Sequence, residues 1–226
     1  MSKNLYVVGT GTDVGKTYAA ALIAKKLKDA GESVAYFKAA ASGCERDAGG
    51  RLFSGDVRHA LTIGGLVEEE SEACPFLYEA AVSPHLAARW EGRPFDVEVA
   101  RAAFLRLSER YDYVVLEGAG GIFCPMSLEP KRLLLIDIVQ SWGTPTLLVS
   151  ESGLGAINAI VASALALQSA GVELKGVAYN RYHGTLMEED NVATVSKSFD
   201  LPQRALIREN EVELQVEVDE VRSWFN

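Results

Sequence analysis

Gly9-Thr-Gly-Thr-Asp-Val-Gly-Lys-Thr17 is the stretch that decides the fold. It follows a short apolar, β-branched run, Leu5-Tyr-Val-Val8, and runs into KTYAAALIAKKLKDAG. There Ala19, Leu22, Ile23 and Leu27 recur at helical spacing, Lys25, Lys26 and Lys28 turn outward, and Gly31 stands where a helix C-cap glycine belongs. Strand, glycine-rich turn and helix in that order make a phosphate-binding loop. Small residues let backbone N–H groups curl around phosphate oxygens, and the helix N-terminus adds partial positive charge. Lys16 is placed to reach the β and γ phosphates, and Thr17 to set its hydroxyl on Mg²⁺. The loop is a variant, because the common GxxxxGK[ST] pattern wants glycine where Thr10 stands. The rival reading is a dinucleotide fold, since Gly9, Gly11 and Gly15 space as GxGxxxG. That fold wants an acid, or an arginine, at the end of its second strand, and here the second strand ends in Lys38.

The same alternation continues outward from the loop. Strands are expected at 33–37, 113–116, 146–149 and 176–179, and helices at 96–110, 133–142, 154–170 and 187–199. On the 96–110 helix Val99, Ala103 and Leu107 define the inward face. The strands are apolar almost throughout, which suits parallel strands covered on both faces. The expectation is therefore a doubly wound, mostly parallel α/β sheet flanked by helices, with residues 1–226 as one domain. Residues 39–94 are less regular and read as long functional loops and short helices along one edge. Near the C-terminus, Val212, Leu214, Val216 and Val218 alternate like a strand, while Leu214, Val218, Val221 and Phe225 fit a helix; helix is the reading taken.

Composition narrows the function classes. Of 226 residues 48% are hydrophobic and 23% charged, which is ordinary globular composition. The formal net charge of −9 disfavours non-specific binding to nucleic acid or to an anionic membrane surface. Three widely separated cysteines without CxxC spacing argue against a disulfide framework or a structural zinc. The apolar run 154–167 is too short to span a bilayer, and no signal-peptide run precedes Gly9, so a cytoplasmic protein is expected.

Two further residues stand where a phosphate site needs them. Lys38 closes the second strand, at the edge of an open α/β sheet where ligands collect, and can neutralise charge on a terminal phosphate. Glu117 closes the third strand in Val114-Val-Leu-Glu-Gly-Ala-Gly-Gly121, placed like a Walker B acid beside glycines that allow close approach. Asp56 reads either as a second metal-side carboxylate or as the N-cap of a helix over 57–63. Ser83-Pro84-His85 opens a helix with proline at its first position, and His85 reads as structural. Met126 and Trp142 read as core.

These segments, together with Ser42-Gly43, Gly155-Ala-Ile-Asn158 and Asn180, resemble the dethiobiotin synthetase family in order and approximate spacing across residues 4–180. The resemblance implies a P-loop NTPase-like fold and an ATP-dependent ligase that joins CO₂ to 7,8-diaminononanoate and closes the ring to dethiobiotin, through a carbamate and a carbamic-phosphoric anhydride, in biotin biosynthesis. It implies that Asp13, Val14, Gly15, Lys16, Thr17 and Tyr18 cradle phosphate, with Gly118, Ala119 and Gly120 alongside. Thr17, Asp56 and Glu117 would surround Mg²⁺. Lys38 would act in catalysis with Lys16 and Thr12, Thr12 and Ser42 would hold the carbamate, and Asn180 would read the adenine edge. It further implies a homodimer in which the substrate tail meets the partner's segment around Gly153 and Asn158. The chain departs from the family at Ala39-Ala40, where Pro-Val is usual, at Arg181, and over residues 204–210 on the adenine side. The alternative is a nucleotide-switch ATPase of the partitioning or metal-delivery type. Such proteins usually carry a lysine at the place of Gly11.

Overall fold

The computed structural model describes residues 2–225. Six strands form one sheet: β1 (Lys3–Gly9), β2 (Val34–Lys38), β3 (Tyr113–Glu117), β4 (Thr146–Glu151), β5 (Leu174–Asn180) and β6 (Gln203–Ile207). Their spatial order is β6-β5-β4-β1-β3-β2, and every neighbouring pair is parallel. Each apolar strand supplies both faces by alternation. Leu5 and Val7 of β1 join one core layer, and Tyr6 and Val8 join the other. Val34 and Tyr36 of β2 face the first layer, while Ala35 and Phe37 face the second. Each fully buried large apolar side chain contributes about 1.5–3 kcal/mol.

Helices cover both layers. The first is backed by α1 (Lys16–Asp29), α2 (Gly55–Gly64) and the short terminal helix α9 (Val218–Ser223). Behind the second lie α5 (Val97–Arg110), α6 (Leu135–Trp142), α7 (Ala156–Ser169) and α8 (Leu186–Ser198). Residues 39–94 hold α2, the two shorter helices α3 (Glu70–Ala73) and α4 (Pro84–Trp90), and two-residue ribbon pairings. Trp224 is fully buried and donates its indole N–H to Glu220 Oε1 at 3.1 Å, anchoring the chain's end beneath α1.

Several details differ from the sequence reading. Val99 is 50% exposed; the inward stripe of α5 is Ala100, Ala103, Phe104 and Leu107, centred on the phenylalanine. Leu133 and Leu134 pair antiparallel with Ser127 and Pro125, and α6 starts at Leu135 because Asp137 turns back to accept the Leu134 N–H at 2.8 Å. Strand β6 was not expected. The C-terminal helix is confined to Val218–Ser223, and residues 212–216 are irregular. Met126 is buried, and Trp142 stacks on Phe104 with centroids 5.2 Å apart.

β2 is an edge strand, so one row of its backbone groups has no strand partner. Glu68 fills that gap: its Oε1 accepts the Tyr36 N–H at 3.1 Å. Burial pushes the Glu68 carboxyl above its ordinary value.

Candidate functional site

β1, β2 and β3 are adjacent in space, β3 lying between the other two, and all three end at the same edge of the sheet. That edge opens into a cleft of about 740 Å³. The loop after β1 is tied to its neighbour β4 by Thr10, whose N–H donates to Val149 O at 3.0 Å and whose hydroxyl donates to Ser150 Oγ at 3.1 Å. The loop then turns through left-handed backbone at Asp13 (φ 60°) and Gly15 (φ 94°) before α1 begins. Glycine is required at position 15 on two counts, the positive φ and the space. A Cβ there would lie 1.9 Å from Asn180 Nδ2.

Lys16 is 6% exposed, and its ammonium donates to the Gly11 carbonyl at 2.7 Å, inside its own loop. Burial lowers its pKa, against the opposing pull of Glu117. Lys38 is 4% exposed and lies between two carboxylates, 2.8 Å from Glu117 Oε1 and 2.5 Å from Asp56 Oδ2. Burial alone would lower the Lys38 pKa; Glu117 first and then Asp56 outweigh it and hold the ammonium charged. In return Lys38 outweighs the partial desolvation of Asp56 and keeps that carboxyl below its ordinary value. Thr17 donates its hydroxyl to Glu117 Oε1 at 2.8 Å. Asp56 sits in the first turn of α2, whose N-cap is Ser54, with Oγ accepting from Val57 N at 3.4 Å. The capping role considered for Asp56 thus belongs to Ser54, and the Asp56 carboxylate is free to meet Lys38.

Thr17, Asp56 and Glu117 are one hydroxyl and two carboxylates, all hard oxygen donors: the carboxylates meet at the Lys38 ammonium, and the hydroxyl is bonded to Glu117. That chemistry fits Mg²⁺. Among the described residues no cluster of three or more His, Cys, Asp or Glu could hold a metal alone. A cation here would complete its shell from phosphate and water, as Mg²⁺ commonly does.

The structure brings most of the expected residues to one cleft. Thr12, Asp13, Gly15, Tyr18, Ser42, Ala119 and Gly120 line it together with Lys16, Thr17, Lys38, Asp56 and Glu117. Val14, Gly118 and Asn180 are not among the lining residues. Asn180 is buried and donates Nδ2 to the Val14 carbonyl at 3.2 Å, so it braces the loop. Gly153 and Asn158 do not reach this cleft. Gly153 O and Ser152 O accept from Asn191 Nδ2 at 3.0 and 2.8 Å, and Asn158 is exposed on the first turn of α7.

Other lining residues escaped the sequence reading. His59, one turn beyond Asp56, stacks on Tyr18 with centroids 6.1 Å apart, and the Tyr18 hydroxyl donates to the Glu211 carbonyl. Cys124, its thiol pushed up by burial, and residues 81–84 form the opposite wall. Ser83-Pro84 was legible as a helix start but not as a wall of the cleft. His85, read as structural, has its Nδ1 3.0 Å from Ser83 Oγ at the start of the same short helix. Arg181, already singled out in the sequence as a departure from the family, lines the cleft while donating to Asp13 O at 3.0 Å and Glu151 Oε1 at 2.6 Å.

Comparison with known proteins bears on this geometry. A family model described as an AAA domain matches residues 3–212. The ATP-dependent dethiobiotin synthetase BioD of Clostridium novyi (strain NT) is 41% identical over 199 residues, covering 87% of this chain and 83% of its own. The enzyme of the same name from Clostridium perfringens is 35% identical over 225 residues, covering 94% and 98%. Among solved structures, the signal recognition particle receptor FtsY of Elizabethkingia anophelis in complex with GDP superposes with a TM-score of 0.58 at 19% identity, over all of this chain and 64% of that one. The septum site-determining protein MinD of Pyrococcus horikoshii, complexed with Mg-ADP, gives 0.53 at 17% identity, over 93% and 82%. The last two share the P-loop NTPase fold.

Proposed function

The chain belongs to the ATP-dependent dethiobiotin synthetase family, and from that premise we propose that the cleft beyond β1, β2 and β3 is where CO₂ and a vicinal diamine are joined at the expense of ATP. The protein is an ATP-dependent ligase of biotin synthesis. The observation that carries the site assignment is the convergence of Lys16, Lys38, Thr17 and Glu117 within one cleft.

The chemistry divides into three steps. One amine adds to CO₂ and loses a proton, giving a carbamate. A carbamate oxygen attacks the γ-phosphorus of ATP; the bond to the bridging oxygen breaks and ADP leaves. The second amine then attacks the carbonyl carbon of the resulting mixed anhydride, expels inorganic phosphate and closes the cyclic urea. The middle step brings two anions together, so its barrier falls where fixed positive charge is aimed at the transferring group. In this reading Lys16 and the amino end of α1 hold the phosphates, Lys38 turns from its carboxylates to the transferring group, and Thr12 and Ser42 hold the carbamate. Thr17, Asp56 and Glu117 would hold Mg²⁺, which when bound neutralises phosphate charge. Asn180, already on the loop's Val14 carbonyl, would meet the adenine. Residues 1–226 act as one domain, in the cytoplasm, as a homodimer. Leu154, Gly155 and Asn158 are exposed, and no residue from 153 to 158 lines its own chain's cleft, which suits a role toward a partner's substrate tail.

Phosphate release separates this function from a nucleotide switch. Release should require both diamine and bicarbonate and match dethiobiotin mole for mole. Equal release without diamine would overturn the synthetase assignment. The absence of a lysine at Gly11 already disfavours the switch.

A further inference from the structure

We infer that Tyr36 is a positioning residue for Glu117, and that its hydroxyl governs how tightly a divalent cation is held beside the nucleotide; this rests on the reading of Glu117 as the metal-side carboxylate. Tyr36 lies two residues before Lys38 on β2, so the two side chains leave the same face of the strand. Glu117 lies directly opposite Lys38 in the register of β2 and β3. The Tyr36 ring is fully buried, and its hydroxyl donates to Glu117 Oε2 at 2.5 Å. Glu117 Oε1 receives Thr17 and Lys38, each at 2.8 Å. The two oxygens of a carboxylate that is itself only 2% exposed are thereby divided: one is tied down, and the other faces the cleft.

Packing does not account for that hydroxyl. Phenylalanine would fill the same space, as Phe37 does on the opposite face, without burying a polar atom that costs free energy when unpaired. A donor on an ionised acceptor makes a short, strong bond, and here that bond fixes the rotation of the carboxylate about its own axis. Without it, Oε1 would no longer be presented in one orientation to a cation beside Thr17.

The test is equilibrium binding of a fluorescent ATP analogue in EDTA and in Mg²⁺, the ratio of the two affinities being the metal increment. Tyr36→Phe should bind the metal-free analogue within twofold of wild type and lose the increment by about tenfold, the size expected for a bond to a charged group. Its turnover should recover at high Mg²⁺, with KM for the diamine unchanged. A full increment in Tyr36→Phe, or an equal fall in both affinities, would overturn the role. If wild type shows no increment, or Glu117→Gln retains it, the reading of Glu117 fails and this inference with it. An increment lost in Glu117→Gln but kept in Tyr36→Phe overturns the Tyr36 role alone. Should Tyr36→Phe not fold, Tyr36→4-aminophenylalanine keeps the volume with a weaker donor. A severalfold smaller increment is then expected, and an undiminished one refutes the proposal.

Discussion

Lys38→Met tests the charge arrangement of the cleft most directly. The substitution keeps most of the aliphatic stem and removes the ammonium that lies 2.8 Å from Glu117 and 2.5 Å from Asp56. Removing one partner of a buried ion pair costs about 3–5 kcal/mol, because the other charge stays buried without compensation. The low end applies here, on two grounds. Glu117 keeps its bonds from Thr17 and Tyr36. The Asp56 side chain is 57% exposed, so its half of the pairing is screened by water and adds little. About 3 kcal/mol, at about 2–4 °C per kcal/mol for a chain of this size, predicts a Tm lower by roughly 6–12 °C in EDTA. Mg²⁺ should restore much of that loss, and should raise the Tm of the variant more than that of wild type, whose ammonium competes for the same carboxylates. Product formation should stay lost in the refolded, Mg²⁺-loaded variant. Thermal unfolding by circular dichroism in EDTA and in Mg²⁺, beside a dethiobiotin assay, reads all three. A variant melting within about 2 °C of wild type in EDTA, or equal Mg²⁺ shifts in both proteins, would refute the reasoning.

Gly15→Ala places a methyl group against Asn180 Nδ2 and forces an L-residue into left-handed backbone, at about 1–2 kcal/mol for the backbone alone. Nucleotide affinity, measured by equilibrium dialysis, should fall more than about tenfold while the protein remains folded; near-wild-type affinity would contradict the tight fit of loop and asparagine. Glu188→Gln probes acid stability. Burial would raise this carboxyl, but bonds from Ser152, Thr185 and the His183 N–H outweigh it and hold its pKa down from 4.5 to about 2. A depressed folded pKa gives stability that is full above the unfolded value and drains as pH falls toward the folded one. The gap in urea midpoint between wild type and Glu188→Gln should therefore be widest near neutrality and close between about pH 4.5 and 2. A gap independent of pH would count against the hydrogen-bonded carboxylate.

What the sequence made legible was punctuation along the chain. Gly9, Lys38 and Glu117 each end an apolar strand, and a parallel sheet sets such ends along one edge. The phosphate loop, both lysines and Glu117 therefore come together without further information. Contacts made across the sheet had no such signature: nothing in Ala35-Tyr36-Phe37 says that the tyrosine hydroxyl meets a carboxylate 81 residues away. The inward face of α5 is hard to read from sequence because Val99, Ala103 and Leu107 make an equally regular four-residue stripe. The buried face instead follows the mixed spacing of 100, 103, 104 and 107 around a large aromatic. β6 escaped because it is the other edge strand, opens with the polar pair Gln203-Arg204, and is apolar only over Ala205-Leu-Ile207. Asp56 admits two readings in the sequence because Ser54, two residues earlier, is as good a cap, and in the structure Ser54 takes that place.

The balance of charge explains why this edge of an acidic protein can receive a polyanion. A net charge of −9 repels ATP at long range, so attraction has to be local. Lys16 and Lys38 supply it, yet two ammonium groups at 6% and 4% exposure would not stay charged without opposing groups. Glu117 and Asp56 are those groups, and together the four carry no net charge. A nucleotide arriving alone would meet two carboxylates; in the proposed function, one arriving with a divalent cation would bring the charge that releases Lys38 from them. The carboxylates that keep the lysine ionised would thereby make its availability depend on the metal. On this reading the site should discriminate against metal-free ATP at the catalytic step more strongly than at the binding step, because Lys16 and the loop amides serve binding whether or not Lys38 has been freed.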